Sequence, residues 1–182
     1  MSMKVAISGT HSTGKSTLLE HLQNISQLQE FIFVEGVTRQ AAKQGLPINE
    51  LGSDLTQLYC IGKDLENLLR YQSQSFISDR CVWDTKVYTD YLYLHRQISV
   101  QTKEYIDILF RQMIGNFDMI FLLKPEFGLV DDGVRSRDIK FQSDINDLFI
   151  ETASLVGIGK ICEISGTVQQ KSNQIIETIC QR

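Results

Sequence analysis

The chain has 182 residues, of which 42% are hydrophobic and 22% charged, and a formal net charge of −4. That length and balance suit one globular domain with a sizeable core. An acidic chain argues against a surface built to track nucleic-acid phosphates, although a local basic groove stays open. Cys60, Cys81, Cys162 and Cys180 lie far apart without a C-x-x-C pair, so neither a zinc site nor a disulfide framework is indicated. The expectation is reduced thiols in a cytoplasmic protein. No apolar run reaches the length of a signal-peptide core or a membrane span, so no membrane partner is expected. The oligomeric state is not legible in the sequence.

In chain order, Lys4–Ser8 (KVAIS) reads as a buried strand, and residues 16–28 as a helix with Leu18, Leu19 and Leu22 on one face. FIFV at 31–34 is a second strand, and 37–45 a short helix ending at Gly45. Leu51, Leu55, Leu58, Tyr59, Leu65, Leu68 and Leu69 predict a long helix over 50–71. SFISD at 75–79 is a third strand, followed by helical patterns to about residue 95 and again over 104–115. DMIFLL at 118–123 is a fourth strand, 138–156 a helix, KICEI at 160–164 a fifth strand, and 168–180 a final helix. No repeat, low-complexity tract or linker divides the chain, so residues 1–182 are read as a single domain. Strands separated by helices of this length require a parallel sheet covered on both faces. The fold class is therefore α/β, a doubly wound five-stranded parallel sheet.

GTHSTGKS at 9–16 follows the first strand and opens the first long helix. Gly9, Gly14, Lys15 and Ser16 meet the pattern G-x-x-x-x-G-K-[ST] in full, in the strand–loop–helix setting that the chemistry needs. The glycines let backbone N–H groups turn towards a phosphate, and the helix N-terminus adds its free donors and positive dipole end. Gly9, Thr10, His11, Ser12, Thr13, Gly14, Lys15, Ser16 and Thr17 thus form the expected nucleotide-binding segment. Lys15 reaches the β- and γ-phosphates of ATP, and Ser16 is placed to coordinate Mg²⁺. His11 reads as a tolerated variable position in the loop.

Three further stretches address what the nucleotide is used for. FVEGVTRQ places Glu35 at the end of the second strand and Arg39 four residues later. A carboxylate at a strand C-terminus lies at the ligand crevice and can take a proton from a hydroxyl nucleophile, while Arg39 can hold an anionic acceptor group. The bland alternative is an i, i+4 ion pair. SFISDRCVWD ends the third strand in Asp79, suited to the magnesium shell, with Arg80 facing the same crevice; helix capping is the alternative for Asp79. Asp84, Tyr88 and Tyr91 are candidates for the acceptor pocket or for the core. KPEFGLVDDGVRSRD gathers Asp131, Asp132, Gly133, Arg135 and Arg137 before a helix, which suits an arginine-bearing lid over about 126–137 or a solvated charged loop.

Taken together, GTHSTGKSTL, FVEGVTR, the strand-ending DR and DDGVRSRD resemble AAA-like P-loop kinases of the ribosylnicotinamide kinase type and, more distantly, thymidylate and deoxynucleoside kinases. The resemblance implies transfer of the ATP γ-phosphoryl group to a hydroxyl or phosphate of a nucleoside-like acceptor. It matches Arg80 to the family's DR arginine, and Arg135 and Arg137 to its lid arginines. The catalytic set it suggests is Lys15, Glu35, Asp79, Arg135 and Arg137; the acceptor set is Glu35, Arg39, Arg80 and Asp84; the metal set is Ser16 and Asp79. Cys81 departs from the residue that usually follows DR in thymidylate kinases, and Ser165-Gly166-Thr167 matches the turn that borders adenine but lacks the arginine often found after it. Two other readings stay open: a kinase acting on a modified base in DNA, and a P-loop switch without an acceptor. A water-positioning glutamine is not identifiable for the switch.

Overall fold

The structure is a computed structural model that describes residues 2–125, 138–157 and 159–181. Five strands, β1 (Lys4–Ser8), β2 (Ile32–Val34), β3 (Phe76–Asp79), β4 (Met119–Leu123) and β5 (Ile161–Ile164), form one sheet in the order β2-β3-β1-β4-β5. Every pairing is parallel. The helices are α1 (Lys15–Leu22), α2 (Val37–Lys43), α3 (Asp54–Arg70), α4 (Val82–Leu94), α5 (Val100–Met113), α6 (Ile139–Thr152) and α7 (Val168–Cys180). This is the doubly wound five-stranded α/β fold that the sequence predicts.

Alternation along the strands explains why both faces are covered. Val5, Ile7, Ile77, Met119, Phe121 and Leu123 pack with Leu18, Leu19, Leu22 and Ile175, which fastens α1 and α7 to one face. Ala6, Phe76, Ile120 and Leu122 belong to a larger core with Val82, Trp83, Ile106, Phe110, Phe141 and Phe149, from α4, α5 and α6. Successive strand side chains point to opposite faces, so near-continuous apolar strands bury both. The order places β1 at the centre, with the chain leaving to β2 and β3 on one side and to β4 and β5 on the other.

Four helical boundaries differ from the periodicity by several residues: α5 begins at Val100, ahead of the expected 104, α6 ends at Thr152 before a 3₁₀ turn at Ala153–Leu155, and two others have a clear local cause. The first helix stops at Leu22; Ile25 is extended and a separate 3₁₀ turn covers Ser26–Leu28. The third begins at Asp54, because Gly52 intervenes after a 3₁₀ turn at Asn49–Leu51 and Ser53 then caps the new helix through the Thr56 amide.

Its leucines are also on the unexpected side. Leu55, Leu58, Leu65 and Leu69 are exposed, as is Leu51 before the helix, while Thr56, Gln57, Cys60, Ile61, Asp64 and Leu68 form the buried face. That inner face is polar because it meets the polar side of α4: Thr85 donates to Asp64 at 2.7 Å and Thr89 to Gln57 at 3.0 Å.

Candidate active site

Strand register brings the candidate segments together. Ile7 pairs with Asp79, Ser8 with Leu122, and Val34 with Ser78, so the residues after β1, β2 and β3 leave the same edge of the sheet. Gly9, Glu35, Asp79 and Arg80 are widely separated in sequence but meet there. This is the carboxyl-end crevice at the point where the strand order reverses, the usual ligand position in open α/β sheets.

Gly9 has φ +131°, and a Cβ on it would lie 2.3 Å from the Leu123 carbonyl oxygen, so only glycine fits between loop and sheet. Ser12 (φ 58°) and Gly14 (φ 82°) also turn through the left-handed region, the backbone alternation that gathers N–H groups into an anion-binding concavity. Ser12 Oγ is buried without a hydrogen-bond partner. The Lys15 ammonium is buried and donates to the carbonyls of Gly9 (2.8 Å) and Thr10 and to Thr13 Oγ1 (2.9 Å). The loop therefore holds its cation at the mouth of α1 by its own oxygens.

His11 is buried, and its ring stacks on Phe141 with centroids 5.1 Å apart. Gln142 Nε2 donates to the His11 carbonyl at 2.9 Å. The first turn of α6 thus clamps the loop from outside, a contact with no signal in the motif itself.

A cavity of about 620 Å³ opens on this edge. The loop from His11 to Ser16 forms one wall; Glu35, Arg39, Asp79 and Arg80 line the other. Glu35 is exposed and accepts from Lys43 Nζ at 2.7 Å, while Arg39 Nη2 donates to Ser16 Oγ at 2.5 Å. Asp79 packs closely against Gly36, where a Cβ would lie 3.0 Å from the Asp79 carbonyl oxygen and 3.2 Å from its carboxyl carbon. Lys43, Thr38, Ala42, Ile48 and Asn49 also line the cavity and were missed in the sequence. Only the one-turn spacing of Arg39 and Lys43 on α2 could have flagged any of them.

Arg80 is held in a strained backbone at φ +74°. Its Nη1 donates to the Gly9 carbonyl (3.2 Å) and to Asp84 (3.0 Å), and its Nη2 to the Tyr88 hydroxyl (3.4 Å), with the guanidinium 5.1 Å from the Tyr88 ring centre.

Asp84, expected on the acceptor side, lines a small neighbouring cavity together with Thr38, Asn49, Arg80 and Tyr88. It is 2% exposed and is not among the residues lining the main cavity. Its carboxylate accepts from Ser8 Oγ (2.7 Å), the Gly9 amide (3.3 Å), the Cys81 amide (3.1 Å) and Arg80. Burial pulls Asp84 beneath the loop, where it positions Gly9 and Arg80.

Tyr91 belongs to the packing, edge-on to Phe141 and stacked on His95. Burial pushes the thiols of Cys60 and Cys81 well up, Cys60 to about 12, so neither supplies a thiolate. Ser165–Thr167 forms the cap of α7 and does not line the main cavity. The lid expected over 126–137, with Arg135 and Arg137, lies outside the described residues.

The strand–loop–helix, the topology and the crevice define a P-loop nucleotide-binding domain of the nucleoside-kinase fold. A family model described as an AAA domain matches residues 4–171, and the chain belongs to that family. Among solved structures, NadR in complex with NR is similar at a TM-score of 0.77 and 19% identity, over 99% of this chain and 51% of that one. NadR with NAD and AMP-PNP gives 0.73 and 17%, over 99% and 49%. The chain therefore spans about half the length of the NadR structures. Deoxyadenosine kinase from M. mycoides with bound dATP is matched along nearly its whole length, over 98% of this chain and 99% of that one, at a TM-score of 0.72 and 14% identity. No curated protein matches the sequence.

Proposed function

We propose that the chain is a phosphotransferase that moves the γ-phosphoryl group of ATP to a hydroxyl or phosphate of a small nucleoside- or nucleotide-like acceptor. The observation that carries this reading is the main cavity, with the phosphate loop on one wall and Glu35, Arg39, Asp79 and Arg80 on the other. A switch needs only the first wall. The similar NadR and deoxyadenosine kinase structures, with NR, AMP-PNP and dATP bound, support a small acceptor.

Phosphoryl transfer has a loose, charge-rich transition state, so the protein's part is positioning and neutralisation. Lys15 lies where it can leave its loop oxygens for those of the triphosphate. Glu35 sits across the cavity as the base that orients and takes the proton of the acceptor hydroxyl. Arg80, locked by Asp84 and Tyr88, presents a fixed cation at the junction of loop and acceptor wall. Asp79 and Ser16 share that junction.

For Mg²⁺ the donor set fits: one hydroxyl and one carboxylate, both hard oxygen ligands, lie beside the phosphate loop. Among the described residues no cluster of three or more His, Cys, Asp or Glu forms a complete cage. That agrees with an ion which shares its shell with phosphate oxygens and water. Bound there, it would neutralise developing charge on the phosphates.

The test is a phosphate-transfer screen with ATP against nucleosides, nucleoside monophosphates, ribosylnicotinamide and hydroxymethylated DNA. Transfer to a small acceptor, lost in Lys15→Ala and lowered at least 10²-fold in Glu35→Gln, is the expected result. ATP hydrolysis indifferent to every acceptor would favour the switch instead, and transfer to DNA alone the modified-base kinase.

A further inference from the structure

Arg39 joins segments 23 residues apart in the chain: it projects from α2, and its guanidinium bonds Ser16 Oγ on the first turn of α1 at 2.5 Å. The same side chain lies on the wall between the main cavity and a second one of about 210 Å³, which Glu20, Gln23, Glu35 and Asp79 also line. Arg39 is exposed, so it has room to move to either side.

Resting on the phosphotransferase reading, we infer that Arg39 and the divalent cation of the nucleotide compete for Ser16 Oγ, so that Arg39 is a positioning residue linking the donor site to the acceptor side. Ser16 offers a single hydroxyl. A magnesium ligand must approach to about 2.0–2.1 Å, and a guanidinium cannot share that contact because it is permanently positive and repels a second cation. On yielding the oxygen, Arg39 has Glu35 as an acidic neighbour on the cavity walls, while Asp79 serves the metal. It then stands between Ser16 and the acceptor wall, one turn of α2 from Lys43. Arg39 would thus face the acceptor only after the donor is loaded with its metal.

Isothermal titration calorimetry with AMP-PNP, in excess Mg²⁺ and in EDTA, separates this competition from plain phosphate binding. The quantity to read is the ratio of the two affinities. In Arg39→Ala the ratio rises on the order of tenfold over wild type, as a coupling of this kind predicts. Arg39→Gln, which keeps the stem and loses the charge, does the same. In a Ser16→Ala background Arg39→Ala leaves the ratio unchanged, because the shared oxygen is already gone. A ratio that stays at the wild-type value in Arg39→Ala, with affinity lowered equally in both buffers, would make Arg39 an ordinary phosphate ligand and overturn the competition. A ratio that rises equally with and without Ser16 overturns it as well, since the effect would then not pass through that oxygen. If the folded wild-type chain binds no AMP-PNP in either buffer, the phosphotransferase reading itself fails, and the competition with it.

Discussion

Asp84 and Arg80 depend on each other. Arg80 keeps a positive φ that costs on the order of 1–3 kcal/mol, and the carboxylate that holds it also accepts from the Ser8 hydroxyl and from two backbone amides. Asp84→Asn replaces one accepting oxygen with an NH₂ facing donors, so chemical denaturation should show a loss of about 3 kcal/mol. Asp64, on the inner face of α3, is set differently. Burial pushes its carboxyl from 3.8 up to about 7, against the bond from Thr85 and helped by the Asp84 charge. The folded state therefore binds a proton that the unfolded chain has already released. The sign follows: this group's contribution is full below about pH 4 and is lost as pH rises through about 7. The stability of wild type relative to Asp64→Asn should fall across that window and flatten above it, which melts at stepped pH will measure. Neither role was visible in sequence. Asp84 is simply four residues after Arg80, and Asp64 sits in a helix whose leucines draw the eye.

Among the elements, α3 shows why periodicity misleads near a site. Its leucines repeat at helical spacing, yet the face turned inward is the one that hydrogen-bonds with Thr85 and Thr89 of α4. The helix was legible; its orientation was not, because hydrogen bonding to a partner 21 or 32 residues away outweighs the local pattern. Between α4 and α5 a second polar seam is built from Lys86, Asp90, Lys103 and Asp107. Lys86 bonds Asp90 and lies 3.2 Å from Asp107, and Lys103 bonds Asp107. Burial raises the Asp90 carboxyl and Lys86 opposes it. Lys86→Met leaves Lys103 as the one cation of the seam against two carboxylates, so Asp90 loses its closest partner and the expected loss is about 3 kcal/mol in urea unfolding. Replacing Lys86 and Asp90 together by Met and Leu should recover much of it, since a buried pair exchanged for apolar residues is often close to neutral.

At the scale of the molecule, the site exists because a parallel sheet brings the ends of β1, β2 and β3 to one edge. The P-loop turn passes close to the Leu123 carbonyl of β4, so Gly9→Ala, with a Cβ at 2.3 Å from that oxygen, should lower both stability and nucleotide affinity. Thermal melts with AMP-PNP give a global check. A ligand at 100 times its Kd stabilises the folded state by about 2.7 kcal/mol, and Lys15→Ala should abolish the shift.

The sequence by itself determined the five strands, their parallel doubly wound arrangement and the phosphate loop. Those follow from short-range facts: strand-length apolar runs, helix-length spacers, and a glycine–lysine motif whose geometry is local. It also named Glu35, Asp79 and Arg80, because strand ends are recognisable, and Arg39 by its spacing from Glu35. The tertiary structure alone decided what each of these touches. Which face of α3 is buried, that Asp84 lies beneath the loop, that α6 clamps His11, and that Arg39 reaches Ser16 all depend on contacts between segments far apart in the chain, where no local pattern carries the information.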